Sequence, residues 1–189
     1  MKKNPALFGF IVSVIVFALA FGIYFIFLSK KNYYVVDNPT ADTYYFRLNN
    51  GEENIISAGQ YVKVELNKGK NDIKVYNGQK ELLYDSAFTV NKIRGLVNIS
   101  HSDYYTHRQY YGYNLKKDSL LAALPQTEID GQKYYGDPQH FNQLYTDDFY
   151  YNIDEDYDKV IKNIAKIESR VKIFRKQDFL NYYKEYYNF

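Results

Sequence analysis

His101, His107 and His140 are the only histidines in the chain, and no two of them stand four residues apart. The helical zinc pair, which needs that spacing to put both rings on one face, is therefore missing. On a strand, period two would bring His101, Asp103 and His107 to one face, where a metal could sit. A histidine among tyrosines is more often a polar surface residue, so no metal ligand and no cofactor is assigned. The acidic run Asp154-Glu155-Asp156-Tyr157-Asp158 opens like a calcium loop and then departs from it. Lys159 stands where the loop needs Gly, and Ala165 where it needs a bidentate Glu. A negative N-terminus for a following helix accounts for the cluster more simply. Neither a Gly-x-Ser-x-Gly elbow nor a Gly-rich phosphate loop occurs. The chain is thus expected not to be an enzyme. A hydrolase would need two carboxyls converging from among Asp147, Asp148 and Asp154.

One segment is poorly explained by core formation. Tyr104-Tyr105-Thr106-His107-Arg108-Gln109-Tyr110-Tyr111 has strand propensity without an aliphatic face. As a strand it points Tyr105, His107, Gln109 and Tyr111 one way and Tyr104, Thr106, Arg108 and Tyr110 the other. Tyr and Arg are favoured at protein interfaces, so Tyr104, Tyr105, His107, Arg108, Tyr110 and Tyr111 are the candidate partner-binding residues, on an edge strand or rim. The competing reading packs one set under the C-terminal half, rings as core and hydroxyls as donors.

These residues must be positioned by a chain that begins with an apolar run. Pro5 to Leu28 contains no charged side chain, long enough at about 1.5 Å per residue to cross a hydrocarbon core of roughly 30 Å. Cleavage as a signal peptide after Ala18-Leu19-Ala20 would leave the apolar start Phe21-Gly22-Ile23-Tyr24, so an uncleaved signal anchor is expected. Lys2 and Lys3 place the N-terminus in the cytoplasm. Lys30 and Lys31 mark the far interface, where Tyr24, Tyr33 and Tyr34 suit the aromatic belt. The expected location is a bacterial inner membrane, single-pass, with the rest of the chain on the periplasmic side.

From Tyr33 to Ser100 short strands alternate with turn chemistry. Tyr33–Asp37, Thr43–Leu48, Tyr61–Leu66, Asp72–Tyr76, Lys80–Tyr84, Ala87–Val90 and Gly95–Ser100 are the expected strands. Asn49-Asn50-Gly51 and Asn77-Gly78 are turns, the latter expected to have positive φ at both central residues. Short strands at roughly ten-residue spacing with no helix between them predict an antiparallel β-sandwich. Over Asp37 to Val90 the order Asn-Pro-Thr, strand, Asn-Gly turn, strand, Lys-Gly-Lys, strand resembles small extracytoplasmic sandwich modules such as PEGA-type domains. The resemblance favours a sandwich and carries no function across.

The second half mixes signals. Leu115–Leu124 suits a short linker helix or turn, while Gln126–Tyr135 and His140–Tyr151 suit strands, broken at Gly131 and at Gly136-Asp137-Pro138. Val160, Ile164, Ile167, Val171 and Phe174 recur at helical spacing, although Arg170–Arg175 also alternates like a strand. Lys176-Gln177-Asp178 offers a cap for a terminal helix from Phe179 to Tyr187. The fold class is mainly β with some α: a transmembrane helix (1–31), a β-sandwich-like domain (32–100) and a smaller α+β C-terminal part (101–189) packing on it.

Composition narrows the partners. A formal net charge of +2 gives no reason to expect nucleic acid, and with no Cys the fold has neither disulfides nor thiolate sites. Sixteen of the 23 Tyr stand in eight Tyr-Tyr pairs, which on a strand put one ring on each face. Asn98-Ile99-Ser100 matches a glycosylation acceptor, which matters only in a eukaryotic secretory pathway. The reading is a membrane-anchored, non-enzymatic interaction module, an accessory subunit of an envelope complex with a protein partner. A glycan- or peptidoglycan-binding domain is the alternative.

Overall fold

The computed structural model describes residues 5–25, 32–112, 116, 119, 123–159, 165 and 167–187. The chain divides into two bodies, Met1–Asn32 and Tyr33–Phe189. The first is built on helix α1 (Pro5–Ile23). Its large apolar side chains from Leu7 to Ile23 are exposed around the whole circumference. The Ser13 hydroxyl turns back to donate to the Gly9 carbonyl at 3.0 Å, so its one hydroxyl needs no partner outside the helix. Among the described residues this is one helix long and apolar enough to cross a membrane.

The second body is mainly β. Strands β1 (Tyr33–Asp37), β2 (Tyr44–Leu48), β3 (Glu53–Ile56), β4 (Tyr61–Val64), β5 (Gly69–Tyr76), β6 (Leu82–Val90) and β7 (Arg94–Asn98) form two four-stranded sheets, completed by β13 (Tyr145–Thr146). One sheet runs β13-β7-β1-β4 and the other β3-β2-β5-β6. Tyr34, Val36 and Val97 of the first meet Phe46, Ile73, Val75 and Val90 of the second in a shared core. Within these two sheets the pairings are antiparallel except β1 with β7, which are parallel. These two strands are buried on both faces, because Val35 and Leu96 pack outward against Tyr104, Phe149 and Ile173. That explains why Tyr33–Asp37 reads as an apolar run while Asp72–Tyr76 alternates.

The remaining elements are β8 (Tyr104–His107), β9 (Tyr110–Tyr111), β10 (Gln126–Ile129), β11 (Gln132–Tyr135), β12 (His140–Phe141), β14 (Ile167–Glu168), β15 (Lys172–Arg175) and helix α2 (Lys176–Tyr187). They form the sheet β12-β8-β15, the hairpin β10-β11 and the pair β14-β9. Phe179 and Tyr183 of α2 pack against Tyr105, Tyr134 and Phe174. Because β13 belongs to the first sheet of the sandwich, strands from both sides of residue 100 share one sheet.

Several local expectations are corrected. Of the two readings open for this stretch, helical stripe or strand, the strand holds where the segment is described: Ile167 lies in β14, and Phe174 in β15, within the alternating Arg170–Arg175. Val160 and Ile164 lie outside the described residues, as does most of Leu115–Leu124. Pairing to β8 overrides the helical periodicity, since β15 aligns residue for residue from Lys172 with His107 to Arg175 with Tyr104. The two strands expected over Lys80–Val90 are one, β6, and β3 was missed because Glu53-Asn54 hides its period. Positive φ falls on Asn49 (51°) and Asn50 (57°), and at the other turn on Lys80 (64°) rather than on Asn77 or Gly78. Asn77 instead caps that turn, its side-chain oxygen accepting from the amides of Gln79 and Glu81. Helix α2 starts at Lys176, three residues earlier than expected and directly from β15.

Candidate functional site

Strand β8 is the centre of its sheet, flanked by β12 and β15, and not an edge. Its two faces do different work. On one, Tyr104 donates to Asp37 Oδ2 at 2.6 Å, while Arg175 donates to both carboxylate oxygens from Nε (2.9 Å) and Nη2 (2.5 Å). Burial raises the Asp37 pKa, opposed by the Arg175 and Tyr104 hydrogen bonds. This buried group ties the end of β1 to β8 and β15, so the sandwich and the second sheet share an ion pair.

On the other face, His107 is 1% exposed among the rings of Phe179, Tyr182, Tyr183, Tyr186 and Tyr187, all within 6.3 Å centre to centre. The Tyr157 hydroxyl donates to the His107 carbonyl at 2.7 Å, so its oxygen is left to accept from the ring at Nδ1 (3.3 Å). That places the ring proton on Nδ1 and makes Nε2 the acceptor for Tyr187, 3.2 Å away. Desolvation pulls the His107 pKa down to about 3, so the ring is neutral at physiological pH. Tyr105 stacks on His140 at 5.0 Å, and His140 holds Asp103 at 2.7 Å. His101, at φ 52°, lies against Tyr84. The three residues that could have shared a metal face thus have separate partners, and among the described residues no cluster of three ligating side chains forms.

Of the six candidate residues, Tyr104, Tyr105, His107 and Tyr110 are buried and Tyr111 is half-buried. Arg108 alone is exposed, with Glu168 at 3.5 Å. It lies where two open clefts meet. One, about 380 Å³, is lined by Lys92, Asp148, Tyr150 and Arg170. The other, about 340 Å³, is lined by Gln139 and Phe141, and both share Arg108, Asp148 and Val171. Arg170 stacks its guanidinium 3.9 Å from the Tyr150 ring centre, and Lys92 binds Asp148 at 2.7 Å. No protein-family model, curated protein or solved structure matches this chain.

Lys92, Tyr150 and Arg170 were not legible as site residues. They come from three distant stretches, and the bridge between Tyr151 and Lys172 is what brings Tyr150 beside Arg170. Of the three carboxylates named for hydrolysis, Asp147 and Asp148 both reach the Lys92 ammonium, whereas Asp154 pairs with Lys63. The acidic run serves the β1 end of the sandwich, Asp154 accepting from the Tyr33 hydroxyl and Glu155 from Arg94. Burial and then the Asp154 hydrogen bond raise the Tyr33 pKa to about 12.

Proposed function

We propose that this chain is a single-pass membrane protein whose folded part lies on the outer side of a bacterial inner membrane. There it acts as a non-enzymatic interaction module, an accessory subunit of an envelope complex that docks a protein partner in the groove around Arg108. Support for the anchor is the apolar, everywhere-exposed helix α1 behind a basic tail. The observation that carries the docking site is an exposed guanidinium held at the end of a buried strand where two clefts join. Beside it Arg170 is already stacked on Tyr150, so little side-chain entropy is lost when a partner covers it. Arg and Tyr in such positions carry a disproportionate share of interface energy.

The glycan alternative is served less well. The cleft of about 440 Å³ at β11 and α2 is lined by Tyr134, Tyr135 and Tyr183, but Tyr134 and Tyr183 are buried, leaving one half-buried ring for a sugar. The test is partner recovery from native membranes with Arg108→Ala and Arg170→Ala combined. Recovery of a specific co-purifying protein is expected to fall about tenfold or more with the melting temperature unchanged. Unaltered recovery would remove the groove from consideration. Tyr110→Ala, in contrast, is expected to lower the melt, because that ring is buried.

A further inference from the structure

The sandwich ends in four sheet edges, and three of them are short. Strands β3 and β4 have four residues each and carry Glu53 and Lys63, and β13 has two. The fourth edge, β6, has nine residues, LLYDSAFTV, with Asp85 as its one charge and no proline. Its pairing to β5 is regular from Tyr84 to Val90, the register shifting only at the Tyr76 end. Among the described residues no strand lies on its far side. An edge of this length with so little charge is a template for another strand.

We infer that β6 pairs antiparallel with β6 of a second copy of this chain, about a two-fold axis at Ala87, joining two four-stranded sheets into one of eight. The regular stretch selects a second copy as occupant because it is complementary to itself. With Ala87 on the axis, Tyr84 stands opposite Val90 of the other copy and Ser86 opposite Phe88, on the core-facing side. On the exposed side Asp85 stands opposite Thr89, a carboxylate against a hydroxyl, and Ala87 opposite Ala87. Aromatic meets β-branched, no like charges oppose, and the smallest side chain lies on the axis where the backbones approach. Asp85, Ala87 and Thr89 are all exposed, so nothing on that side needs to move.

The chain has no cysteine, which makes the register directly testable in the full-length protein in detergent. Ala87→Cys is expected to give a disulfide-linked dimer on mild oxidation, since directly opposed residues of paired strands lie within disulfide reach. Thr89→Cys alone, about 13 Å from its own copy in this register, is expected to stay monomeric on a denaturing gel. A mixture of Asp85→Cys and Thr89→Cys chains is expected to give the mixed dimer. Ala87→Asp, which opposes two carboxylates on an exposed position, is expected to shift the native mass from dimer to monomer with an unchanged circular dichroism spectrum. Equal cross-linking at 87 and 89, a dimer that Ala87→Cys cannot trap, or a monomeric mass for the parent chain would each overturn the pairing.

Discussion

Two environments were open to His107 from the sequence, a polar surface and a set packed under the C-terminal half, and it takes the second. A neutral imidazole satisfied by two tyrosine hydroxyls costs little to bury, whereas an imidazolium there would lose its hydration without a counter-charge. The folded pKa of about 3 lies below the ordinary value of 6.5, so the unfolded chain takes up this proton first as pH falls. The contribution to stability is complete above pH 6.5 and is lost progressively towards pH 3. His107→Gln, which keeps an acceptor and a donor but cannot titrate there, is expected to lose about 2 kcal/mol less than the parent between pH 6.5 and pH 5. Urea titrations of both proteins across that range check it, and parallel pH profiles would refute the assignment. Asp37 gives the complementary case. Asp37→Ala leaves Arg175 and Tyr104 without their shared acceptor and is expected to cost about 3 kcal/mol, read as a lower denaturation midpoint at constant slope. Adding Arg175→Met is expected to recover part of that loss, because the orphaned charge is then gone.

At the scale of elements, β7 and β13 illustrate how a two-residue strand can be specified from a distance. Gly95 on β7 lies under the Tyr145 ring of β13, and a Cβ there would overlap the Tyr145 hydroxyl. The ring also stacks on Phe88 at 5.0 Å, so it cannot swing away freely. Gly95→Ala is expected to destabilise by about 2 kcal/mol as an overpacked site. In a Tyr145→Ala background the same substitution is expected to cost less than half as much, which a double-mutant cycle measures. Equal costs in both backgrounds would mean that the glycine serves the backbone alone. Helix α2 depends on the opposite kind of contact: Phe179, fully buried against Tyr105, Tyr134 and Phe174, is expected to cost about 4 kcal/mol when cut to Ala.

For the whole molecule, the two bodies make separable predictions. Tyr33–Phe189 has its own cores, so a chain beginning at Asn32 is expected to be soluble, to give a β-dominated circular dichroism spectrum and to melt cooperatively. Aggregation or a non-cooperative melt would mean that the anchor is needed for folding. A reporter enzyme active only outside the cytoplasm, fused after Phe189, is expected to be active. Activity of a cytoplasm-only reporter in its place would reverse the proposed orientation.

The features legible in the chain itself were those produced by neighbours in sequence. Nineteen uncharged, almost wholly apolar residues make a helix in any apolar solvent, and the alternation of Asp72-Ile73-Lys74-Val75-Tyr76 makes a strand with one wet face, because both patterns are local and repeat. The mainly β class followed from them. Only the tertiary structure decided what the aromatic segment 104–111 does, since burial is a property of the partners and not of the strand. Arg175 had to arrive beside Asp37 across 138 positions and α2 had to lie over β8 before Tyr104 and His107 became core and Arg108 became the exposed residue. The same reason hid the groove: Lys92, Arg108, Tyr150 and Arg170 have no common period, and strand pairing between distant stretches is what assembles them.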